Sequence, residues 1–195
     1  MTINWTDFHA RVHKTLRQRQ LLPKQARILL AVSGGQDSLS LLQLLWDLQG
    51  KWQWELGVAH CDHRWQNDAG MADHVQQVVQ GYRIPFFRLT AATPVAETEA
   101  SARSWRYQVL KDCCQDNEYN YLVTGHTGSD RAETLLYNLI RGSGSDGLQA
   151  LTWQRALTEN ISLVRPLLNF SRSETQQFCE QFQLPIWEDA ANENL

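Results

Sequence analysis

The sequence predicts a doubly wound α/β fold, with a mainly parallel five-stranded sheet and helices on both of its faces. Five short apolar runs alternate along the chain with longer segments of helical periodicity, which is the order expected of a parallel sheet. Polar clusters directly follow three of the predicted strands. Ligands of such sheets bind beyond the carboxyl ends of the strands, so these clusters indicate a binding site.

The length of 195 residues predicts one domain. We expect an α/β core over roughly 21–170, an N-terminal helix over roughly 1–20, and a C-terminal helix and tail over roughly 171–195. No apolar run approaches the roughly 20 residues of a membrane span, and the first residues lack a signal-peptide pattern. The four cysteines form no Cys-x-x-Cys pair, and reduced thiols are typical of the cytoplasm. The sequence therefore predicts a cytoplasmic protein without a membrane partner.

The formal net charge of −3 excludes a globally basic nucleic-acid-binding protein. One segment is nevertheless basic, because no acidic residue lies between Asp7 and Asp37. The basic residues in it are Arg11, Lys14, Arg17, Arg19, Lys24 and Arg27. This segment either faces phosphates or forms a solvated helix face on which long side chains snorkel.

In chain order, the first predicted element is a helix over 4–20, where apolar side chains recur at helical spacing. Thr6 or Asn4 is placed to cap its first turn. The first predicted strand covers 28–32, and its continuous apolar run is typical of a strand that is buried on both faces. The helix predicted over 39–46 is apolar nearly all round, which indicates that it is buried as well.

Gly50 indicates a turn before the second predicted strand, at 54–60. A helix is predicted over 69–82 because valines recur on one side of it. The third strand is predicted at 84–89, with a proline near its start, where a missing backbone donor matters least. A polar turn then leads to a long helix over about 97–117.

The fourth strand is predicted at 119–124, and a helix follows over 130–140. Gly142 suits the left-handed residue that ends this helix. The fifth strand is predicted at 161–164. The last helix is predicted over about 171–182 because its first residues, Ser-Arg-Ser-Glu, fit a capping box.

A glycine turn joins the first predicted strand to its helix. Its residues are Ser33, Gly34, Gly35, Gln36, Asp37 and Ser38. Glycine allows the backbone to approach a ligand closely, and the start of a helix favours phosphate. The turn lacks the lysine of a Walker loop and the spacing of Gly-x-Gly-x-x-Gly. It resembles the pyrophosphate loop of the PP-loop ATPases, which split ATP to AMP and pyrophosphate. The alternative is a strand-to-helix turn that binds nothing.

The second cluster is His60, Cys61, Asp62 and His63. Alternate side chains on an extended strand end point to opposite faces, which is awkward for one tetrahedral metal ion. We therefore interpret His60, Asp62 and His63 as donors and acceptors around a nucleotide. Polar residues at an exposed strand end are the alternative.

A third group of charges lies on the long helix predicted over 97–117. Glu99 and Arg103 are four residues apart, which is the spacing of a helix-stabilising ion pair. Arg103 and Arg106 share a face of the helix. Two guanidinium groups on one face could bind phosphates or a carboxylate.

A fourth group follows the fourth strand. Asp130 and Glu133 are three residues apart at the start of a helix, so both carboxylates share one face. They either interact with the helix dipole or hold a metal ion or an ammonium group. Arg141 follows at the end of that helix, beside a glycine-rich turn.

Taken together, these stretches resemble tRNA(Ile)-lysidine synthetase over nearly the whole chain, in the order of that family. The residues that carry the resemblance are Ser33–Ser38, His60-x-Asp62-His63, Glu99-Ala-x-Ala-Arg103-x-x-Arg106-Tyr107, Gly125-His126-x-x-x-Asp130-x-x-Glu133-Thr134, Arg141-Gly142-Ser143-Gly144, Arg165-Pro166-Leu167 and Trp187-x-Asp189-x-x-Asn192.

The resemblance implies a two-step reaction that uses ATP and Mg²⁺. ATP adenylates the C2 oxygen of the wobble cytidine in a tRNA(Ile) with a CAU anticodon, and free L-lysine then displaces AMP through its ε-amine. The resemblance leaves a homodimer open.

The resemblance also implies roles for the residues that match the family motifs. Catalysis falls to Asp37, Arg103, Asp130 and Glu133, with Asp37 as the metal ligand. The nucleotide is held by Ser33, Gly34, Gly35, Gln36, Asp37, Ser38, His60, Asp62 and His63. Lysine or phosphates are held by Arg103, Arg106, Asp130, Glu133 and Arg141.

The sequence departs from the family pattern at several positions. Ser129 and Arg131 flank Asp130 where the family often has Asp and Gln, and Arg64-Trp65 follows His63 where Leu-Arg is frequent. Ala191 stands where a serine often precedes Asn192. The family also continues with basic and helical regions, so we expect further segments after Leu195.

Two other function classes remain open at this stage. The first is another PP-loop enzyme, such as a tRNA thiolase or a glutamine-dependent synthetase. The four cysteines lack the paired spacing that thiolases generally need, and no amidotransferase is present. The second is an ATP-binding domain without catalysis.

Overall fold

The structure is a computed structural model, and it describes residues 5–142 and 151–187. The helices in these ranges are α1 Asp7–Arg19, α2 Gln36–Trp52, α3 Met71–Gln80, α4 Glu99–Asp116, α5 Gly128–Ile140 and α6 Arg172–Phe182. The strands are β1 Arg27–Ala31, β2 Glu55–Asp62, β3 Phe86–Thr90, β4 Tyr121–Thr124, β5 Gln154–Ala156 and β6 Ser162–Val164. A 3₁₀ turn covers Gln66–Asp68.

The strands form one sheet in the order β3-β2-β1-β4-β6-β5. Neighbouring strands are parallel except β5, which pairs antiparallel with β6. The predicted fold class is therefore confirmed, but the predicted count of five strands was wrong. The additional strand, β5, has three residues and all are exposed, so it carries no apolar run that a sequence reading could detect.

Helices cover both faces of the sheet because successive side chains of a strand point to opposite sides. Ile28 and Leu30 of β1 belong to a core cluster with residues of α1, α2, α3 and α6. Leu29, between them, belongs to a second cluster with Leu110 and Cys114 of α4. The central strand is thus apolar at every inner position because it is buried from both sides.

The helix ends follow the predicted caps, with one exception. Thr6 caps α1, Ser171 and Glu174 form the capping box of α6, and Gly142 follows α5 with a left-handed φ of 68°. The turn predicted at Gly50 was wrong, because α2 continues through this glycine to Trp52. Beyond its chain neighbours and the backbone of its own helix, no atom lies within 4 Å of the place where a Cβ of residue 50 would stand, so the helix tolerates this glycine without needing it.

The topology places a crevice at the carboxyl ends of β1 and β4. Strand β1 pairs with β2 on one side and with β4 on the other. The strands that follow β1 are added on one side of it up to β3, and those from β4 onward are added on its other side. Such a switch point opens a gap between the loops that follow the two strands, and ligands of open α/β sheets bind there.

Gly125, directly after β4, brings the two sides of this crevice into backbone contact. A Cβ at residue 125 would lie 2.9 Å from the carbonyl oxygen of Asp37 and 3.0 Å from the amide nitrogen of Ser38. Both atoms belong to the first turn of α2, which cannot move without moving the loop before it. The missing side chain therefore allows the turn after β4 to pack directly against the start of α2.

Within the described ranges, no helix is both long and apolar enough to cross a membrane.

We expect Gly125→Ala to lower the free energy of unfolding by about 1–3 kcal/mol, because its methyl group would meet backbone atoms that cannot swing away. Gly50→Ala is the matched control, and we expect it to raise that free energy by about 0.5–1 kcal/mol because alanine favours the helix interior. Urea denaturation measures both changes. Equal stability of Gly125→Ala and the unsubstituted protein would contradict the close backbone contact.

Candidate functional site

A cleft of about 400 Å³ opens above the carboxyl ends of β1, β2 and β4. Its volume lies in the range of small-molecule sites. Residues from all four polar groups of the sequence line it, among them Asp37, His63, Arg103 and Asp130. The predicted site residues thus converge from distant parts of the chain on the crevice at the switch point.

The glycine turn between β1 and α2 is shaped by the hydroxyl group of Ser38. This hydroxyl accepts from the amide N–H groups of Ser33 and Gly34, each at 3.2 Å, and donates to the carbonyl oxygen of Gly35 at 2.9 Å. Gly34 has a φ of 98°, a backbone conformation that residues with a side chain rarely adopt. The hydroxyl group thus fixes the turn directly before the start of α2, and the backbone N–H groups of a helix start favour a phosphate.

Asp37 lies in the first turn of α2 and contacts α6. Its Oδ1 accepts a hydrogen bond from the Thr175 hydroxyl, and its Oδ2 lies 4.0 Å from Nε of Arg172. Burial raises the pKa of Asp37 above its ordinary value; the Thr175 hydroxyl opposes this shift, and the negative charge of Asp130 adds to it. A positive group beside Asp37 would therefore be stabilised.

Asp130 and Glu133 come together on one face of α5, as predicted, and a guanidinium group joins them. Arg172 donates to Asp130 Oδ1 at 2.8 Å and to Glu133 Oε1 at 2.8 Å. Asp130 Oδ2 also accepts from the Thr127 amide at 2.7 Å and from the Thr127 hydroxyl at 2.9 Å. Asp37, Asp130 and Glu133, which we call the acidic trio, thus surround one cation.

The pKa of Asp130 moves in the direction opposite to that of Asp37. Burial alone would raise it, but the hydrogen bonds from Thr127 and the charge of Arg172 hold the pKa below its ordinary value. Asp130 is therefore a carboxylate at neutral pH and a lasting partner for a cation.

Arg172 is the main residue that the sequence reading missed. It occupies the first position of α6, after the N-cap Ser171, and was interpreted only as part of the capping box. A cation in the first turn of a helix opposes the helix dipole, so its presence there indicates a specific negative partner. The sequence carried this signal, but the partners lie about 40 residues away and only the fold brings them together.

The polar residues after β2 have separate partners. His60 is buried, and its Nδ1–H group donates to the Val32 carbonyl oxygen at 2.8 Å. Burial lowers the pKa of His60, so the ring is neutral at physiological pH. Asp62 accepts from Arg88 at 2.9 Å on the neighbouring strand β3 and is not part of the cleft lining.

His63 faces the cleft within an aromatic group. Its ring stacks on Trp65 at a centroid distance of 4.6 Å, and the ring of Trp105 lies 4.9 Å away. The side chain is buried, and its Nε2 has no hydrogen-bond partner among the described residues. Burial lowers the pKa of His63, with the charge of Arg106 acting in the same direction. A neutral imidazole nitrogen is thus left for a ligand in the cleft.

The ion pair on α4 is not the Glu99–Arg103 pair that the four-residue spacing favours. Glu99 Oε1 lies 3.3 Å from Nη2 of Arg106, which is seven residues further along the helix. Both arginines line the cleft. Arg103 has no carboxylate partner among the described residues and stacks over the Tyr107 ring instead, with its Cζ 5.7 Å from the ring centroid.

His126 is a further cleft residue that the list of predicted site residues omitted. Its Nδ1 lies 2.8 Å from the Thr124 hydroxyl oxygen. Burial, with the nearby charge of Arg165, lowers the pKa of His126 to about 4. The ring is therefore neutral at physiological pH although it is close to the carboxylate of Asp130.

Some predicted site residues lie outside the cleft. Gly34, Gly35 and Gln36 shape the loop without lining the cavity, and Gln36 donates to the Arg172 carbonyl oxygen at 2.8 Å. Glu133 and its partner Arg172 also lie outside the cavity lining, next to Asp130. Arg141 ends α5, roughly 20 Å from its start, and donates to the Tyr137 hydroxyl. Of the motif that begins at Trp187, Asp189 and Asn192 fall outside the described residues, as do Ser143 and Gly144. The functional roles of all these residues stay predictions.

No group of three or more His, Cys, Asp or Glu side chains is arranged to hold a metal ion in residues 5–142 or 151–187. Mg²⁺ does not require such a group of three, because this ion is usually bound by one or two carboxylates together with the phosphates of a substrate. Asp37 offers such a carboxylate, so the donor set fits a nucleotide-bound Mg²⁺.

A parallel sheet with a glycine turn and a cleft at its switch point defines a nucleotide-binding α/β domain. Within this class, a family model described as PP-loop domain matches residues 5–195. The chain therefore belongs to the PP-loop domain family.

Curated relatives are similar over nearly the whole chain. A tRNA(Ile)-lysidine synthase of Nostoc sp. is 60% identical over 192 residues, which cover 98% of this chain and 56% of the relative. The protein of the same name from Synechocystis sp. is 55% identical, with 98% of this chain and 59% of the relative covered. The resemblance stated from the motifs is thus confirmed, and the chain spans a little over half the length of these relatives.

A solved structure supports the fold at lower sequence identity. The U34-tRNA thiolase NcsA from Methanococcus maripaludis, with its [4Fe-4S] cluster, superposes with a TM-score of 0.78 at 19% identity. The match covers 92% of this chain and 63% of that one. At this identity the likeness establishes the shared fold alone.

We expect Asp130→Asn to lower the free energy of unfolding at neutral pH by about 1 kcal/mol, because the amide can still accept from Thr127 but loses the negative charge that pairs with Arg172 and with the start of α5. The pKa of Asp130 is lower in the folded protein than in the unfolded chain, so its ionised form stabilises the fold. This stabilisation is complete above the ordinary carboxyl pKa, and it is lost as the pH falls through the pKa of Asp130 in the folded protein. The difference between the two proteins should therefore shrink in acid.

Urea denaturation at several pH values between neutral pH and the acid range measures this difference. The matched control is Asp112→Asn, an exposed carboxylate of α4 whose bond to Gln108 an amide can replace. A constant difference for Asp130→Asn across the whole pH range would show that its ionised form has no special partner.

Proposed function

We propose that the intact protein joins lysine to C2 of the wobble cytidine of tRNA(Ile) with a CAU anticodon, and that ATP is split to AMP and pyrophosphate. The observation that carries this proposal is the cation between Asp130 and Glu133, directly beside a pyrophosphate-type loop. A site that selects an amine and a site that activates with ATP are then adjacent. The names of the curated relatives point to the same activity.

The first half of the proposed reaction uses the glycine turn. Its amide N–H groups and the positive end of α2 would hold the phosphates of ATP that leave as pyrophosphate. Asp37 would hold Mg²⁺, which neutralises charge on the leaving group when bound. The C2 oxygen of the cytidine attacks the α-phosphorus, and the bond between that phosphorus and pyrophosphate breaks. Adenylated tRNA is the product of this step.

Positive groups across the cleft suit the transferred phosphate. Arg103 and Arg106 both line the cavity from α4, opposite the turn before α2. Arg103 lacks a carboxylate partner among the described residues, so its guanidinium group is available to an anion. We assign Arg103 to the phosphate on which negative charge develops, and Arg106 to support in the same region.

The second half of the reaction needs a place for the lysine amine. The ε-ammonium group of lysine is a cation until it loses a proton, and Asp130 and Glu133 already bind a cation of this kind. We infer that the lysine amine takes over contacts that Arg172 makes with Asp130 and Glu133. The neutral amine then attacks C2 of the cytidine, and AMP leaves with the electron pair of the broken C–O bond.

The proposed site of action is the cytoplasm, where ATP, lysine and tRNA are available together and the thiols of the chain stay reduced.

The direct test is incubation of the intact protein with ATP, Mg²⁺, radiolabelled lysine and an unmodified tRNA(Ile) transcript with a CAU anticodon. Label should reach the tRNA, and one pyrophosphate should be released per lysine. Asp37→Ala should reduce the rate about 100-fold or more, because it removes the metal ligand. Asp73→Ala is the control, since this carboxylate binds Arg88 on the surface and should leave the rate unchanged.

Three results would contradict the proposal. Transfer of sulfur or ammonia instead of lysine would indicate another PP-loop enzyme. ATP binding without pyrophosphate release would indicate a domain without catalysis. Full activity of Asp37→Ala would limit this residue to a role in the helix end.

Glu133→Gln tests the lysine contact separately. We expect the KM for lysine to rise about 3- to 5-fold, because Glu133 is exposed and an exposed ion pair contributes up to about 1 kcal/mol. The KM for ATP should not change. Glu118→Gln, an exposed acid at the opposite end of the sheet, is the control. Equal effects of Glu133→Gln on both substrates would count against a lysine contact.

A further inference from the structure

Three arginines surround the side chain of Tyr107, and together we call them the arginine cluster. Arg103 comes from α4, Arg155 from β5, and Arg165 directly follows β6. The Cζ atoms of Arg103 and Arg155 lie 5.7 and 5.1 Å from the centroid of the Tyr107 ring. Arg165 lies beside the Tyr107 hydroxyl and favours its ionised form.

The charge of the arginine cluster is not compensated by neighbouring acids. None of its members forms an ion pair with a carboxylate of the described residues, whereas Arg88, Arg106 and Arg172 each do. Like charges at this separation repel one another. Such an arrangement is unfavourable alone, and an anion bound between the guanidinium groups would relieve it.

Arg165 makes the cluster more than a patch of surface charge. Its side chain is only 1% exposed, and its Nε has no hydrogen-bond partner within residues 5–142 and 151–187. Its Nη1 donates to the Thr152 carbonyl oxygen at 2.8 Å, and the guanidinium group also interacts with the Tyr107 hydroxyl. Burying a charged donor without a full set of partners is costly, which indicates that a ligand completes the set.

The pKa of Tyr107 also reflects the positive charge of the arginine cluster. Burial would raise the pKa of this phenol, but Arg165, Arg103 and Arg155 bring it below its ordinary value. The low pKa of His126 has a related cause, since Arg165 and Arg103 disfavour a further positive charge there. The positive potential thus extends from the cluster into the cleft, which Tyr107 and His126 both line.

The position of the cluster indicates a ligand other than the phosphates of ATP. The glycine turn follows β1, whereas Arg155 and Arg165 belong to the β6–β5 side of the sheet, on the far side of β4. Strand β5 is the edge strand, and both Arg103 and Arg155 are exposed. A large ligand can therefore reach the cluster from solvent while its reactive part lies in the cleft.

We propose that Arg155 and Arg165 of the arginine cluster bind a backbone phosphate of single-stranded RNA next to the nucleotide that enters the cleft, while Arg103 faces the cleft and the phosphate of ATP. Guanidinium groups pair with phosphate oxygens in a bidentate manner, and Arg165 and Tyr107 fix their positions. Such contacts fix the register of an RNA and carry no sequence information, so the cluster would position the target nucleotide and not select it. The identity of the RNA as the anticodon loop of tRNA(Ile) rests on the function proposed above.

Arg155→Gln tests the phosphate contact, and Arg83→Gln is the matched control. Both arginines are exposed, and neither has a carboxylate partner among the described residues. Arg83 lies before the amino end of β3, at the edge of the sheet opposite β5, whereas the cleft lies at the carboxyl ends of the strands. Circular dichroism and urea denaturation of the intact protein should confirm that both variants fold.

The measurement is binding of two RNA stem-loops, one with a CAU anticodon and one with an unrelated loop, by fluorescence anisotropy over a salt series. We expect Arg155→Gln to weaken binding of both RNAs about 5- to 10-fold at low salt. The slope of log K against log salt should become less steep by about 0.7, the value for one phosphate contact with a single strand. Arg83→Gln should match the unsubstituted protein, and ATP binding should be the same in all three.

An unchanged salt slope for Arg155→Gln would overturn the proposal. So would an equal loss of ATP binding, because the cluster would then belong to the nucleotide. Lysine transfer is a separate readout: if the unsubstituted protein transfers no lysine while Arg155→Gln still lowers the slope, the proposed activity fails and the phosphate site stands.

Discussion

The backbone contact between the turn after β4 and the first turn of α2 fixes the geometry of the whole cleft. Residue 125 has no side chain, and a single methyl group there would meet the backbone of Asp37 and Ser38. Strand β4 leads to Asp130 and Glu133, while α2 follows the glycine turn. The distance between the nucleotide loop and the acids is therefore set by main-chain atoms, which are the least adjustable parts of a protein.

The same arrangement of helices and strands separates the acidic side chains around the cleft from the basic ones. The acidic trio lies where α2, α5 and α6 begin, whereas the arginines project from α4 and from the β5–β6 edge. His126 lies between the two regions and stays neutral because burial and the arginines act together on its pKa. A cleft divided in this way suits a reaction that brings an anionic and a cationic substrate together, since each finds a complementary surface.

The sequence predicted those parts of the site that depend on local pattern. The strands, the glycine turn and the pairing of Asp130 with Glu133 follow from periodicity and from helical spacing. Partners far apart in sequence could not be predicted in this way, as Arg172 with Glu133 and Asp62 with Arg88 illustrate. Strand β5 was missed for a different reason: a short exposed edge strand buries nothing, so no apolar signal records it, and Arg155 was missed with it.

Arg172 gives the region around Asp130 and Glu133 a distinctive property. Because its guanidinium group already neutralises Asp130 and Glu133, an incoming amine does not meet bare carboxylates. In the function proposed above, entry of lysine would exchange one cation for another and leave the local charge near Asp37 the same. The affinity for lysine would then depend on the difference between two similar ion pairs rather than on the strength of one.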